Sequence, residues 1–392
     1  MGEATSREQL LHEAASLMLD FAERTGLTSS RPERRYLWTD AFAVCNLVDL
    51  ARATGEARYG ELALRLVEQV HLVLGRHRED DPRKGWISGL GAQEGELHPT
   101  RGGLRIGKSL PERAPGEPFD ERLEWDRDGQ YFHYLTQWMR ALDQVALWTR
   151  RPHFNLWARE LAETAHAAFA QRSPRGARPQ MVWKMSIDLS RPLVPSMGQH
   201  DPLDGFLTCL ELQTSASLLS RTPSGPSLEA AVADFRTMIE ARDWTTADPL
   251  GLGGLLLDAC HVDRLTRLGA SVGDTLLEDL LAAAADGLAD YARRGDLLEP
   301  PAGRLAFREL GLAIGLACVE AIEAKPPAGL RPLSRRAAAA LEALRQRFPL
   351  GSAIVAFWLD PEHRGNRTWA EHRDINEVML ATSALAQDGA FR

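Results

Sequence analysis

Apolar residues recur at spacings of three and four through most of the chain. That is the period of a helix buried along one face. The first run, 8–26, aligns Leu10, Leu11, Ala14, Leu17, Met18 and Phe21, and Gly26 is placed to end it. A polar loop containing Pro32 leads to Trp38, Thr39 and Asp40. The next run, to about Thr54, is apolar on nearly every side (Ala41, Phe42, Val44, Cys45, Leu47, Val48, Leu50), which predicts a buried helix. The run 57–76 is amphipathic again. The same alternation predicts helices at about 128–149, 153–172, 202–220, 228–243, 249–268, 274–293, 304–323, 334–347 and 370–387. Strand signals are confined to 181–187 and 353–358.

Twelve helices, alternately buried and amphipathic, have an economical solution. The buried ones form an inner ring and the amphipathic ones an outer ring. The expected fold class is therefore all-α, an (α/α)6 barrel or toroid, with the inner N-termini at one face. No linker is long and polar enough to divide the chain, so a single domain over 1–392 is expected. About fifty residues, 77–127, connect the third helix to the fourth. A connection that long reads as a lid or binding loop. Its bases (Arg83, Lys84, Arg101, Arg105, Lys108, Arg113, Arg122) suggest contact with an anionic group.

Six polar clusters precede the inner helices: Trp38 to Asp40, Trp125 to Gly129, Gln199 to Gly205, Asp248 to Pro249, Arg304 to Glu309, and His372 to Glu377. Asp201 and Asp248, each followed by Pro, read mainly as helix caps. Asp40, Asp128 and Asp374 are the candidate catalytic carboxylates. Trp38, Trp86, Trp125, Arg127, His200, Asp204, His372 and Glu377 are candidate substrate contacts. Asp374 and Glu377 share a helix face, which is costly unless they share a cation, a substrate or a proton, with Arg373 or a neighbouring member of the ring as the candidate cation. His133 reads as a packed histidine.

Composition narrows the function. The 392 residues carry a net charge of -8, which argues against a nucleic-acid binder. No window is apolar enough for a membrane span. The amphipathic, acidic N-terminus lacks a signal-peptide pattern, so a cytoplasmic location is expected. Four cysteines (Cys45, Cys209, Cys260, Cys318), far apart and with no CxxC pair, suggest free thiols and no metal site. Ten Trp against five Tyr supply flat apolar faces, for sugar rings or for the core. Residues 102–109, GGLRIGKS, match the phosphate-loop pattern. They lack the preceding strand and following helix that a phosphate needs, and nucleotide binding is not expected.

Twelve helices in about 390 residues, with Trp- and Asp-bearing starts to alternate helices, resemble the six-hairpin glycosidase class. N-acylglucosamine 2-epimerases share that toroid. The resemblance implies a carbohydrate-active enzyme without a cofactor, acting on a small saccharide or glycoside with an anionic group as an option, and compatible with a homo-oligomer. One reading is a glycoside hydrolase with Asp40, Asp128 or Asp374 as the paired acid and base. A second is a sugar 2-epimerase or aldose–ketose isomerase using His200 and His372, although the DPLGLGGLLL start of the eighth helix lacks the histidine that family places there. A third is a non-catalytic sugar-binding or scaffold protein.

Overall fold

The computed structural model describes residues 6–171, 179–196, 198–240, 242–322 and 332–387. The chain runs α1 (Arg7–Arg24), α2 (Leu37–Thr54), α3 (Ala57–Leu74), α4 (Ala92–Leu97), α5 (Glu121–Asp126), β1 (Gln130–Tyr131), α6 (Phe132–Thr149), α7 (Pro152–Phe169), β2 (Ala170–Gln171), β3 (Gln180–Met181), β4 (Lys184–Met185), β5 (Pro192–Val194), α8 (Asp201–Leu219) and α9 (Glu229–Ile239). It continues through α10 (Pro249–Arg267), α11 (Leu276–Arg294), α12 (Ala306–Glu320), α13 (Arg335–Arg345), α14 (Phe348–Leu359), α15 (Pro361–Arg364), α16 (Arg367–Glu371) and α17 (Arg373–Gln387). Each of the twelve expected helices has its counterpart here, in α1–α3, α6–α13 and α17. The segment 353–358, expected as a strand, is the second half of α14. A short apolar run with β-branched and aromatic residues does not distinguish strand from buried helix. Pro349 in the first turn of α14 suits the helix.

Contacts divide the chain into two compact units. One comprises Met1–Phe21, Asp49–Glu56 and Arg242–Arg392; the other comprises Ala22–Val48 and Ala57–Ala241.

In the first unit α12 packs against α10, α17 and α14, while α11 packs against α10 and α13. The α10–α12 pair is close because glycines face each other. A methyl on Gly253 would run into the Gly311 carbonyl, and one on Gly315 would lie 2.6 Å from the Gly253 carbonyl oxygen. Arg304 makes a two-pronged ion pair with buried Glu309, which also accepts from Trp358 Nε1 at 2.9 Å.

In the second unit α6 packs on α7 and α8, and α8 on α9. Trp138 of α6 is fully buried, which is worth about 4–6 kcal/mol of gross hydrophobic stabilisation. Its Nε1 donates to His71 Nε2 at 3.2 Å. A polar bridge ties three helices: Asn155 (α7) donates to Asp143 (α6) and to the Leu212 carbonyl (α8), and Ser215 (α8) donates to Asp143.

The connection 77–127 contains α4 and α5 and is fastened to the rest of this unit. Ile87 bonds Gly75, Arg105 bonds Leu74, Ile106 bonds Gly129, and Leu37 bonds Ile106, all through the backbone. Several of its bases pair with acids, some within the connection and some beyond it. Arg83 pairs with Asp81, Glu112 and Asp188; Arg101 with Glu160; Arg105 with Asp128; Arg113 with Glu124. Strands β1, β4 and β5 form a small antiparallel sheet that sets Tyr131 opposite Lys184.

Candidate functional site

The structure gives the sequence-selected residues different surroundings. Asp40 is fully buried. Its carboxylate accepts the Tyr36 backbone N–H at 3.0 Å, closing the start of α2, and lies 3.4 Å from Arg35. Asp128 is also fully buried. One oxygen accepts from the backbone of Gly107, Gly129 and Lys108 (3.0, 3.0 and 3.4 Å). The other faces Arg105 at 2.6 Å and Arg78 at 3.4 Å. Both carboxylates hold the chain in place. Gly107 is required here: its φ is +91°, and a side chain would meet the Arg35 carbonyl.

Trp86 is buried beneath Arg76, whose guanidinium lies 4.6 Å from its ring, and against Gly95. That leaves no open face for a sugar ring. Trp38 is half-buried and packs on Phe42 at 4.5 Å. Arg127 pairs with Glu117. His200 occupies the cap position of α8. Asp204 accepts from Thr136 at 2.6 Å and pairs with Arg140 at 2.8 Å. In the other unit Asp374 lies half-buried in the first turn of α17. Arg373 bonds Glu377 at 2.6 Å and Asp20 at 2.8 Å. His372 meets Phe307 edge-on at 5.6 Å. Asp248 caps α10 as expected, accepting from Gly251.

Of that set, only Trp125 joins a closed circuit of aromatic contacts in the second unit that runs through the Lys108 amine. Lys108 Nζ lies 5.4 Å from the Tyr36 ring and 5.1 Å from the Trp125 ring. Trp125 meets Trp183 at 6.3 Å. Trp183 stacks on Tyr131 at 5.1 Å and on His133 at 6.3 Å. His133 and Tyr131 both meet Tyr134 edge-on, and the Tyr134 and Tyr36 hydroxyls lie 2.6 Å apart. Tyr131 and Tyr134 are buried, whereas Tyr36, Lys108, His133 and Trp183 are half-buried and Trp125 is 54% exposed. The array thus rises from a buried floor to an open rim.

Burial sets the protonation states. Desolvation pushes Tyr36 to about 12 and Tyr134 well above the tyrosine range, so at neutral pH one hydroxyl donates to the other. It pulls His133 down to about 4 and Lys108 below the usual lysine range. The site therefore favours neutral groups that can move protons. Among the described residues Lys108 Nζ has no hydrogen-bond or ion-pair partner, and its cationic form meets only the two ring faces. Its neighbour Lys184 is paired: Nζ contacts the Glu124 carboxylate at 2.9 Å and the Glu124 and Arg127 carbonyls at 2.8 Å each.

Sequence reasoning missed Tyr36, Lys108, Tyr131, Tyr134 and Trp183 as site residues. One compositional signal points toward two members of the cluster. The chain has four lysines among its 46 basic residues (Lys84, Lys108, Lys184, Lys325), and two of the four lie here. Lys108 is the lysine of the phosphate-loop match. Its segment lies between Leu104 and Leu110, held by backbone and Asp128 contacts rather than at a helix start.

A separate cavity of about 470 Å³ is lined by Arg78, Arg83, Glu112 and Asp188, among others, and the Arg83 ion pairs cancel much of its charge. No group of His, Cys, Asp and Glu suited to a metal occurs among the described residues. Among them, too, no helix is long and apolar enough to cross a membrane.

No protein-family model matches the chain, and no curated protein matches it. Among solved structures it is similar to cellobiose 2-epimerase from Spirochaeta thermophila DSM 6192. The identity is 10%, the match covers 96% of this chain and 97% of that one, and the TM-score is 0.51. The likeness establishes the expected all-α, (α/α)6 toroid fold.

Proposed function

We propose that the protein is a carbohydrate-processing enzyme that moves a proton beside a sugar carbonyl, as a 2-epimerase or aldose–ketose isomerase does. The observation that carries this reading is the aromatic array, which combines flat faces with uncharged proton-transfer groups. Trp125 and Trp183 offer the apolar face of a pyranose two surfaces at the open rim. The Tyr36–Tyr134 hydroxyl pair donates to the carbonyl oxygen as negative charge develops on it. Unprotonated His133 accepts the proton from the adjacent carbon. The epimerase likeness adds support through the fold alone.

Glycoside hydrolysis would instead use two carboxylates across the sugar. The commitment of Asp40 and Asp128 to internal ion pairs favours the proton-transfer reading over it. A panel of reducing mono- and disaccharides in D2O, followed by NMR, separates the readings. Deuterium at C2 together with a new epimer or ketose is expected, and Tyr36→Phe should slow it by about 10²-fold or more. Glycoside cleavage without exchange would overturn the proposal in favour of a hydrolase. Neither product across the panel would overturn it in favour of a binding protein.

A further inference from the structure

Lys108 has a position unlike that of the chain's other described lysines. Lys84 is exposed and donates to the Glu79 carbonyl at 2.7 Å. Lys184 is fully buried and saturated by Glu124 and two carbonyls. Lys108 is half-buried between the Tyr36 and Trp125 rings, and its Nζ has no polar partner among the described residues. Its backbone is fixed by Asp128, which accepts the Lys108 N–H, and by Arg78, which donates to the Lys108 carbonyl at 2.7 Å. An amine held between the Tyr36 and Trp125 rings, in a circuit that continues to the Tyr134 hydroxyl and the His133 imidazole, has the surroundings of a nucleophile. A cation serving only as a counter-charge would have an acid against it. Asp126 and Asp128 favour its charged form; burial and Lys184 oppose it, with burial the largest influence.

We propose that Lys108 captures the open-chain aldehyde of a reducing sugar as an imine. The Nζ lone pair adds to the carbonyl carbon to give a carbinolamine. The former carbonyl oxygen, protonated through the Tyr36–Tyr134 pair, then leaves as water. The water carries off the oxygen with one proton from the amine and one from the tyrosine pair, which is reprotonated from solvent; the nitrogen keeps its other hydrogen, so the imine forms protonated, with no change of oxidation state. The protonated imine draws electrons from the adjacent carbon and acidifies its C–H, which His133 is present to receive. This step rests on the proton-transfer reading of the same site, and it adds a covalent intermediate to it.

The test is reductive trapping of the intact protein. Glycolaldehyde, the shortest hydroxyaldehyde, and separately glucose are incubated with the protein at pH 7 and sodium cyanoborohydride, and the digest is read by mass spectrometry. The expected result is a secondary amine formed preferentially on Lys108, clearly in excess of any on Lys84, the direction in which burial of the Lys108 amine acts. Lys108→Arg should remove the adduct, and Lys84→Arg should leave it. Equal labelling of Lys84 and Lys108 in the wild type, or no Lys108 adduct, overturns the proposal even where the Lys108→Arg protein fails to fold. The two readings fail separately. Deuterium exchange without Lys108 trapping removes the imine and leaves the reaction. Trapping with glycolaldehyde but no exchange on any sugar removes the reaction and leaves the amine.

Discussion

Replacing Asp128 by Asn tests whether this carboxylate holds the site loop in place. The substitution preserves shape but removes the charge that Arg105 faces at 2.6 Å, with Arg105 7% exposed and Asp128 fully buried. Breaking one side of a buried ion pair costs about 3–5 kcal/mol. Arg105 keeps its bonds to the Val73 and Arg76 carbonyls, both at 2.7 Å at the end of α3. The cost should therefore lie at the lower end, about 3 kcal/mol. The Asn oxygen can still accept one or two of the three backbone N–H groups, but its NH2 points donors at a guanidinium. Urea unfolding reads the total loss. Hydrogen exchange at the Gly107, Lys108 and Gly129 amides reads it locally, and 3 kcal/mol corresponds to about 150-fold faster opening. A loss below about 1 kcal/mol with unchanged exchange at these amides would refute the assignment.

Three further outcomes follow from the packing and from the neutral histidine. Gly253→Ala should destabilise by about 1–3 kcal/mol, because its methyl meets the Gly311 backbone. Gly254→Ala, with nothing near the added carbon, should stabilise α10 by about 0.5–1 kcal/mol; denaturant midpoints compare the two. His133 protonates near 4 when folded against 6.5 when unfolded. The unfolded state then holds more protons between those values, so stability falls as pH drops through that window, by at most about 3 kcal/mol. His133→Asn should flatten that part of a pH series of unfolding curves.

The helices were legible because burial imposes a period on the sequence, and period is local. The start of α2 was legible too, but not its chemistry. Asp40 and Asp128 stand beside aromatic and charged residues in the sequence, which resembles a site. In space the partners that decide their use are Arg35, Arg78 and Arg105, and two of these lie 23 and 50 positions from Asp128. The array is harder still to read. Tyr36, Lys108, Trp125 and Trp183 come from four segments, and each alone is an ordinary residue. The β1–β4 pairing that brings Trp183 back to Tyr131 involves two-residue strands, which are too short to leave a pattern. Segment 353–358 misled for the opposite reason, since uniform apolarity carries no period at all.

The spread of the array along the chain also sets the order in which it is made. A ribosome adding about 5–20 residues per second reaches position 183 some 4–15 s after position 108. Through that interval Lys108 and Trp125 have no Trp183 to close the circuit and no Lys184 to seal Glu124. Long-range contacts of this kind form late. Acquisition of the site should therefore lag behind the pairing of α2 with its neighbours in sequence. A nascent chain arrested before residue 180 should hold its helices while leaving the Lys108 amine open to water and as basic as any surface lysine.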